Sequence, residues 1–155
     1  LVLEPKVLVC DEAVAALDGS VREQVLEMLR EVQRDTGLSI IFISHDRAVV
    51  RSRSLGVLLM YLGRLVELAE SGELFAAPRH PYTRAPLDSI PVPAPVVNRG
   101  RAPLRGEVPS PVDQPPGCVF HPRCPKAEAL CSNKPPRLAD ANGSRVACHF
   151  PNQAQ

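Results

Sequence analysis

Two adjacent carboxylates, Asp11 and Glu12, follow directly on the apolar run Val7-Leu8-Val9-Cys10. A second apolar run, Ile40-Ile41-Phe42-Ile43, leads into Ser44-His45-Asp46. Charges at the edge of an apolar core are costly unless they are paired or hold a metal. Two strands that deliver Asp-Glu and His to one sheet edge therefore point to nucleotide hydrolysis. Ala16-Leu17-Asp18 stands between them. Taken singly, each motif also has a plainer reading, as a strand end or a helix cap.

The elements that must position these groups are legible nearby. Four consecutive apolar residues at 7–10 predict a short strand of a parallel sheet covered on both faces. Asp18-Gly19-Ser20 offers turn and N-cap chemistry. Val21, Val25, Met28, Leu29 and Val32 then recur at helical spacing, with Arg22, Glu23, Glu27, Arg30, Glu31 and Arg34 on the other face. The helix should end near Gly37, a good residue for the left-handed position after a C-terminus. Residues 39–44 form the next strand, so β-α-β implies a right-handed crossover and a parallel pair. Residues 57–61 and 65–68 flank Leu62-Gly63-Arg64 and read as a β-hairpin, and a short helix is expected around 72–77.

From Pro78 the chain changes character. All but one of its 17 prolines and all but one of its 5 cysteines lie from there on. Pro91-Val92-Pro93-Ala94-Pro95 should be an extended spacer. Beyond it regular structure is hard to find, so something other than an apolar core is expected to hold residues 117–151. Net charge is +1, with 2 Tyr, 4 Phe and no Trp. That balance gives no electrostatic reason for nucleic acid as a partner. The longest apolar run, residues 57–62, is far short of the roughly 18–20 residues a bilayer-spanning helix needs. The first residues carry Glu4 and Pro5 and no Met, which reads as a fragment rather than a signal peptide.

Leu3-Glu4-Pro5-Lys6-Val7-Leu8-Val9-Cys10-Asp11-Glu12 resembles the Walker B segment of ATP-binding-cassette (ABC) transporter ATPases. Ala15-Ala16-Leu17-Asp18 resembles their D-loop, and Ser44-His45-Asp46 their switch-histidine segment. The resemblance implies an α/β fold, the C-terminal part of a P-loop ATPase domain over residues 1–77. It implies ATP and Mg²⁺ as cofactors, with Asp11 holding Mg²⁺ and Glu12 as catalytic base. It implies further that His45 contacts the γ-phosphate and that Asp18 communicates across a dimer of such domains. Ala13-Val14-Ala15 replaces the family's usual Pro-Thr-Ser, and Leu55-Gly56 stands where relatives carry Asp-Arg; neither departure removes a catalytic group. A P-loop needs Gly-x-x-x-x-Gly-Lys-Ser/Thr, whose amides and Lys wrap the phosphates. No Gly-Lys occurs here, nor the Gly-Gly of the family's signature loop. The chain alone should therefore not hydrolyse ATP.

Pro78-Arg79-His80-Pro81-Tyr82-Thr83-Arg84 resembles the C-terminal extension of oligopeptide/dipeptide (and nickel) importer ATP-binding subunits, expected over residues 78–155. His80 and Tyr82 are expected to be structural, with Pro81 opening a helix that Pro86 should kink or shorten. Cys118, Cys124, Cys131 and Cys148 follow, spaced C-x5-C-x6-C-x16-C. Four soft thiolates suit Zn²⁺ or an iron–sulfur cluster, and a Pro-rich segment needs such a staple. Free thiols or two disulfides are the plainer readings, and the C-x2-C knuckles of structural zinc are missing. The family resemblance favours a [4Fe–4S] cluster, and the reducing cytosol in which such ATPases work disfavours disulfides. It also implies permease subunits and a second ATPase subunit, identical or different, as partners. An extracytoplasmic solute-binding protein would act indirectly, and the chain would sit peripherally on the cytoplasmic face of the membrane. The rival readings are a non-enzymatic metal-binding or regulatory module and a truncated product without activity.

Overall fold

A computed structural model of the protein describes residues 5–87 and 106–153. It forms two compact units, Leu1–Ser54 and Leu55–Gln155. The proline run at 91–95 lies outside the described residues.

In the first unit, β1 (Val7–Asp11), α1 (Gly19–Thr36), β2 (Ser39–Ile43) and α2 (Arg47–Arg53) follow in order. β1 and β2 pair in parallel with Val7 opposite Ser39 and Asp11 opposite Ile43, as the β-α-β pattern predicts. α1 ends where expected, with Gly37 left-handed (φ 68°) and its amide donating to the Gln33 carbonyl. Period-3.6 spacing turns Leu26 inward, where it packs with Val14 and Val49 and with Leu17, Val25 and Phe42 at their margin. Val7, Val9, Ile41 and Ile43 are exposed, so among the described residues of this unit nothing covers their face of the two strands, where the sequence predicts cover on both faces.

The second unit is a four-stranded antiparallel sheet in the order β3-β4-β6-β5. β3 (Gly56–Tyr61) and β4 (Arg64–Glu70) form the predicted hairpin, bulged between Leu59 and Met60. Leu62 and Gly63 both have positive φ (46° and 73°), the hand of turn that matches strand twist. Then come α3 (Ser71–Ala76), α4 (Pro81–Leu87), a 3₁₀ turn (His121–Arg123), α5 (Ala129–Asn133), β5 (Ala139–Ala141) and β6 (Ser144–Val146). α4 borders the undescribed residues, so the expected effect of Pro86 on its length lies at the edge of what is described.

Two expectations for the extension are corrected here. It is not irregular throughout: Asn142-Gly143 turns β5 into β6 with φ of 45° and 87°, and β6 pairs with β4. Nor does it lack an apolar core. Phe120 is fully buried and clusters with Tyr61, Val66 and Val119. Its ring meets Tyr61 edge-on at 5.3 Å and Tyr82 at 5.4 Å, so strand, α4 and extension share one aromatic contact set.

Polar groups knit the same region. Glu67 on β4 is fully buried, yet its carboxylate accepts from the amides of Arg79 (2.8 Å) and His80 (2.9 Å) and from the Thr83 hydroxyl. Three donors aimed at one carboxylate replace the water it has lost. They also fix the start of α4 to the sheet. His80 accepts the Tyr82 amide at Nδ1, 3.0 Å away. Burial drives its pKa down to about 4, against a weaker opposing bond to the Ala147 backbone.

The sign of the resulting pH dependence follows directly. An unfolded chain takes up the His80 proton near pH 6.5, the folded one only near 4, so stability is full above 6.5 and falls as pH drops towards 4. The loss should approach roughly 3 kcal/mol for the second unit. Urea titrations at pH 7 and pH 4.5 check this: the His80→Gln chain should lose far less on acidification, and an equal loss in both chains would refute it.

Candidate functional site

Asp11 closes β1 and stands exposed opposite Ile43. The next residue, Glu12, leaves the strand in a left-handed conformation (φ 48°) while its amide donates to the Ile43 carbonyl at 3.0 Å. A non-glycine residue there costs about 1–2 kcal/mol. The cost falls on the residue whose side chain turns towards the end of the neighbouring strand. His45, two residues past β2, places Nδ1 2.9 and 3.0 Å from the two oxygens of Glu12. The pair is open to solvent, with the imidazole 79% exposed. The hydrogen bond and negative charge of Glu12 raise the His45 pKa above the usual imidazole value. That favours an imidazolium, which donates Nδ1–H to Glu12 and leaves Nε2–H for another acceptor.

Asp18 takes the N-cap position of α1 in extended conformation, but its side chain makes no capping bond. Asp46 does cap: its Oδ1 accepts from the Ala48 (3.0 Å) and Val49 (3.4 Å) amides at the start of α2. The plainer reading of Ser44-His45-Asp46 as a helix cap is thus present beside the Glu12–His45 contact. The structure brings Glu12 and His45 together directly, while Asp11 precedes Glu12 at the end of β1 and Asp18 lies between the two in the chain, at the α1 entry.

Sequence reasoning missed Arg22, placed only on the polar face of α1. Its Nη1 donates to Asp46 Oδ2 at 2.8 Å and its Nη2 to the Leu17 carbonyl at 3.2 Å. It missed Glu67 too. The only sequence signal for either is a charge: Glu67 interrupts Leu65-Val66 and Leu68-Ala69, and Arg22 stands one turn into a helix.

In the second unit Cys118, Cys124, Cys131 and Cys148 line a single cavity together with His121 and Lys126. All are free thiols. Burial raises the pKa values of Cys118, Cys124 and Cys148, the last to about 11. Backbone amides oppose that rise: Phe120 and His121 donate towards Cys118, Lys126 towards Cys124 and Phe150 towards Cys148. Among the described residues no three His, Cys, Asp or Glu side chains are placed to hold a metal ion. The arrangement therefore does not by itself support the expected [4Fe–4S] cluster or its zinc alternative.

Gly117 makes the cavity wall possible. Its φ is +69°, and a Cβ there would lie 2.3 Å from the Cys131 carbonyl oxygen. The neighbouring Cys118 amide donates to that same oxygen at 2.7 Å. Two cysteine-bearing segments approach each other at a point where no side chain fits.

Residues 66–131 match the family model of the oligopeptide/dipeptide transporter, C-terminal region. Over 96% of its length the chain is 51% identical to the probable peptide ABC transporter ATP-binding protein y4tS of Sinorhizobium fredii, covering 42% of that protein. It is 47% identical to the oligopeptide transport ATP-binding protein OppF of Escherichia coli, again over 96% of the chain and 45% of the relative. For OppF of Haemophilus influenzae the identity is 45%, over 96% and 46% respectively. The chain spans less than half the length of these relatives. Among the described residues no helix is long and apolar enough to cross a membrane.

Proposed function

We propose that this chain, which belongs with the ATP-binding subunits of oligopeptide ABC transporters and corresponds to their C-terminal region, supplies the water-activating half of an ATP-hydrolysis site. Residues 1–77 act as the nucleotide-binding part and residues 78–155 as the extension. The observation that carries the reading is the Glu12–His45 contact at 2.9 Å, beside Asp11 at the end of a parallel strand.

Each group then has a task its position suits. Asp11 would hold Mg²⁺, which when bound neutralises charge building on the phosphates. Glu12 orients the attacking water and accepts its proton, and His45 keeps the Glu12 carboxylate turned towards the sheet edge. With Nδ1 engaged by Glu12, Nε2–H is free to donate to a γ-phosphate oxygen. Asp18 stands at the entry of α1 as the residue that meets a second ATPase subunit, identical or different. Through permease subunits at the cytoplasmic face of the membrane, the cycle would energise uptake of peptides or a related small solute.

The finer reading of the extension is that Cys118, Cys124, Cys131 and Cys148 ligate a [4Fe–4S] cluster. Its support is chemical: four thiols face one cavity, and amides donate towards three of them, which stabilises thiolates. Anaerobic purification should give a brown protein with iron and acid-labile sulfide in equal amounts. A colourless protein carrying neither would overturn the cluster, and so would stoichiometric zinc.

The ATPase reading is tested by fusing the chain behind the P-loop-bearing part of the E. coli relative. The fusion should hydrolyse ATP, and Asp11→Asn should abolish turnover. Tight Mg-ATP binding by the 155-residue chain alone would overturn its role as half a site.

A further inference from the structure

Arg22 joins two loops that the chain keeps far apart in sequence. One arm of its guanidinium meets the Leu17 carbonyl, immediately before Asp18; the other meets the Asp46 carboxylate, immediately after His45. Asp46 is itself locked. Its second oxygen caps α2 through the Ala48 and Val49 amides, and its own amide donates to Ser44 Oγ at 3.0 Å. Arg22 is anchored from behind, since its backbone amide donates to the Asp18 carbonyl at 2.8 Å. Its side chain and that of Asp46 are each about two-thirds shielded from solvent. A planar fork with fixed arms sets the separation of the two acceptors it bridges, which a single ammonium cannot do.

We infer that Arg22 is a positioning residue that couples the loop ending in Asp18 to the turn carrying His45, so that displacement of one is transmitted to the other. In the ATPase reading above, on which this functional consequence rests, the coupling links the dimer-facing loop to the histidine beside Glu12. A shift at the subunit boundary would then change how Glu12 and His45 face the γ-phosphate.

The coupling is testable in the chain itself by amide hydrogen exchange, independently of any ATP chemistry. Arg22→Gln should speed exchange about tenfold at residues 14–18 and 44–49 together, the effect of losing a charge-assisted hydrogen bond. Residues 8–10 and 40–42 within the strands should be unchanged, which separates this outcome from unfolding. Arg22→Lys should keep protection at 44–49 and lose it at 14–18, because one ammonium can hold Asp46 but not both acceptors. Asp46→Asn retains the cap but loses the charge, and combined with Arg22→Gln it should add nothing further. Acceleration in only one segment with Arg22→Gln would overturn the coupling, as would additive effects in the double variant.

In the fusion described above, Arg22→Gln and Arg22→Lys should each lower kcat about tenfold with KM for ATP within about twofold. An unchanged kcat would overturn the positioning role. If the unaltered fusion is itself inactive, the ATPase reading fails while the exchange measurement still decides the coupling.

Discussion

Glu12→Gln in an ATPase carrying this chain should cut turnover by about 10²–10⁴-fold, the range supplied by a positioned general base. The amide oxygen of Gln can still accept from His45 Nδ1, whose present distances to the carboxylate are 2.9 and 3.0 Å. It cannot take a proton from water. Backbone geometry should survive, because the left-handed turn at position 12 and its bond to the Ile43 carbonyl do not depend on the side-chain end. Nucleotide binding should therefore stay within about twofold while phosphate release slows by about 10²–10⁴-fold. Steady-state phosphate release beside equilibrium nucleotide binding reads both quantities. Turnover within about threefold of the unaltered enzyme would remove Glu12 from the reaction.

Gly117→Ala should be the most damaging single methyl in the second unit. A left-handed conformation costs an L-residue about 1–2 kcal/mol, and overpacking adds about 1–3. Here the new Cβ would meet backbone, the carbonyl of Cys131 and the carbon and oxygen of Ser132, so no side chain can rotate away. The strand of contacts that must move also carries the 2.7 Å bond from Cys118 to Cys131. We expect a loss of roughly 2–5 kcal/mol in urea unfolding of the second unit. The Phe120 cluster should loosen with it, seen as weakened near-ultraviolet dichroism. Gly106→Ala is the control: its φ is also positive (72°), but nothing lies within 4 Å of a Cβ there. Equal losses at both positions would show that backbone strain alone, not the close approach, sets the cost.

The parts of the fold legible from sequence were those with a local signature. Helical spacing from Val21 to Val32 and the glycine at 37 place α1, and two apolar runs flanking Leu62-Gly63-Arg64 place the first hairpin. The second hairpin had a signal as strong, Asn142-Gly143, but its strands are three residues long and carry Ala, Asp, Ser, Arg and a single Val. Without an apolar run on either side the turn dipeptide stood alone. For the site, two strand ends bearing Asp-Glu and His could be paired by topology, and the structure places Glu12 and His45 in contact. The bonds of Arg22 and Glu67 were out of reach for a different reason. Their partners are mostly backbone groups or lie many positions away, and a backbone amide has no letter in a sequence.

The pairing of β4 with β6 has a consequence in time. Glu67 lies opposite Val146 and Leu68 opposite Arg145, so β4, an inner strand of the sheet, gains its second neighbour only once residues 144–146 have been made. Loops that long delay closure, because their entropy must be surrendered before any distant contact compensates. The β3–β4 hairpin can form early, on its own local turn, and then wait with one edge bare. Cys118, Cys124 and Cys131 emerge from synthesis during that wait, and Cys148 comes last, two residues beyond β6. Completion of the sheet and of the four-cysteine set thus falls within residues 144–148, so synthesis that stops short of residue 144 leaves both incomplete.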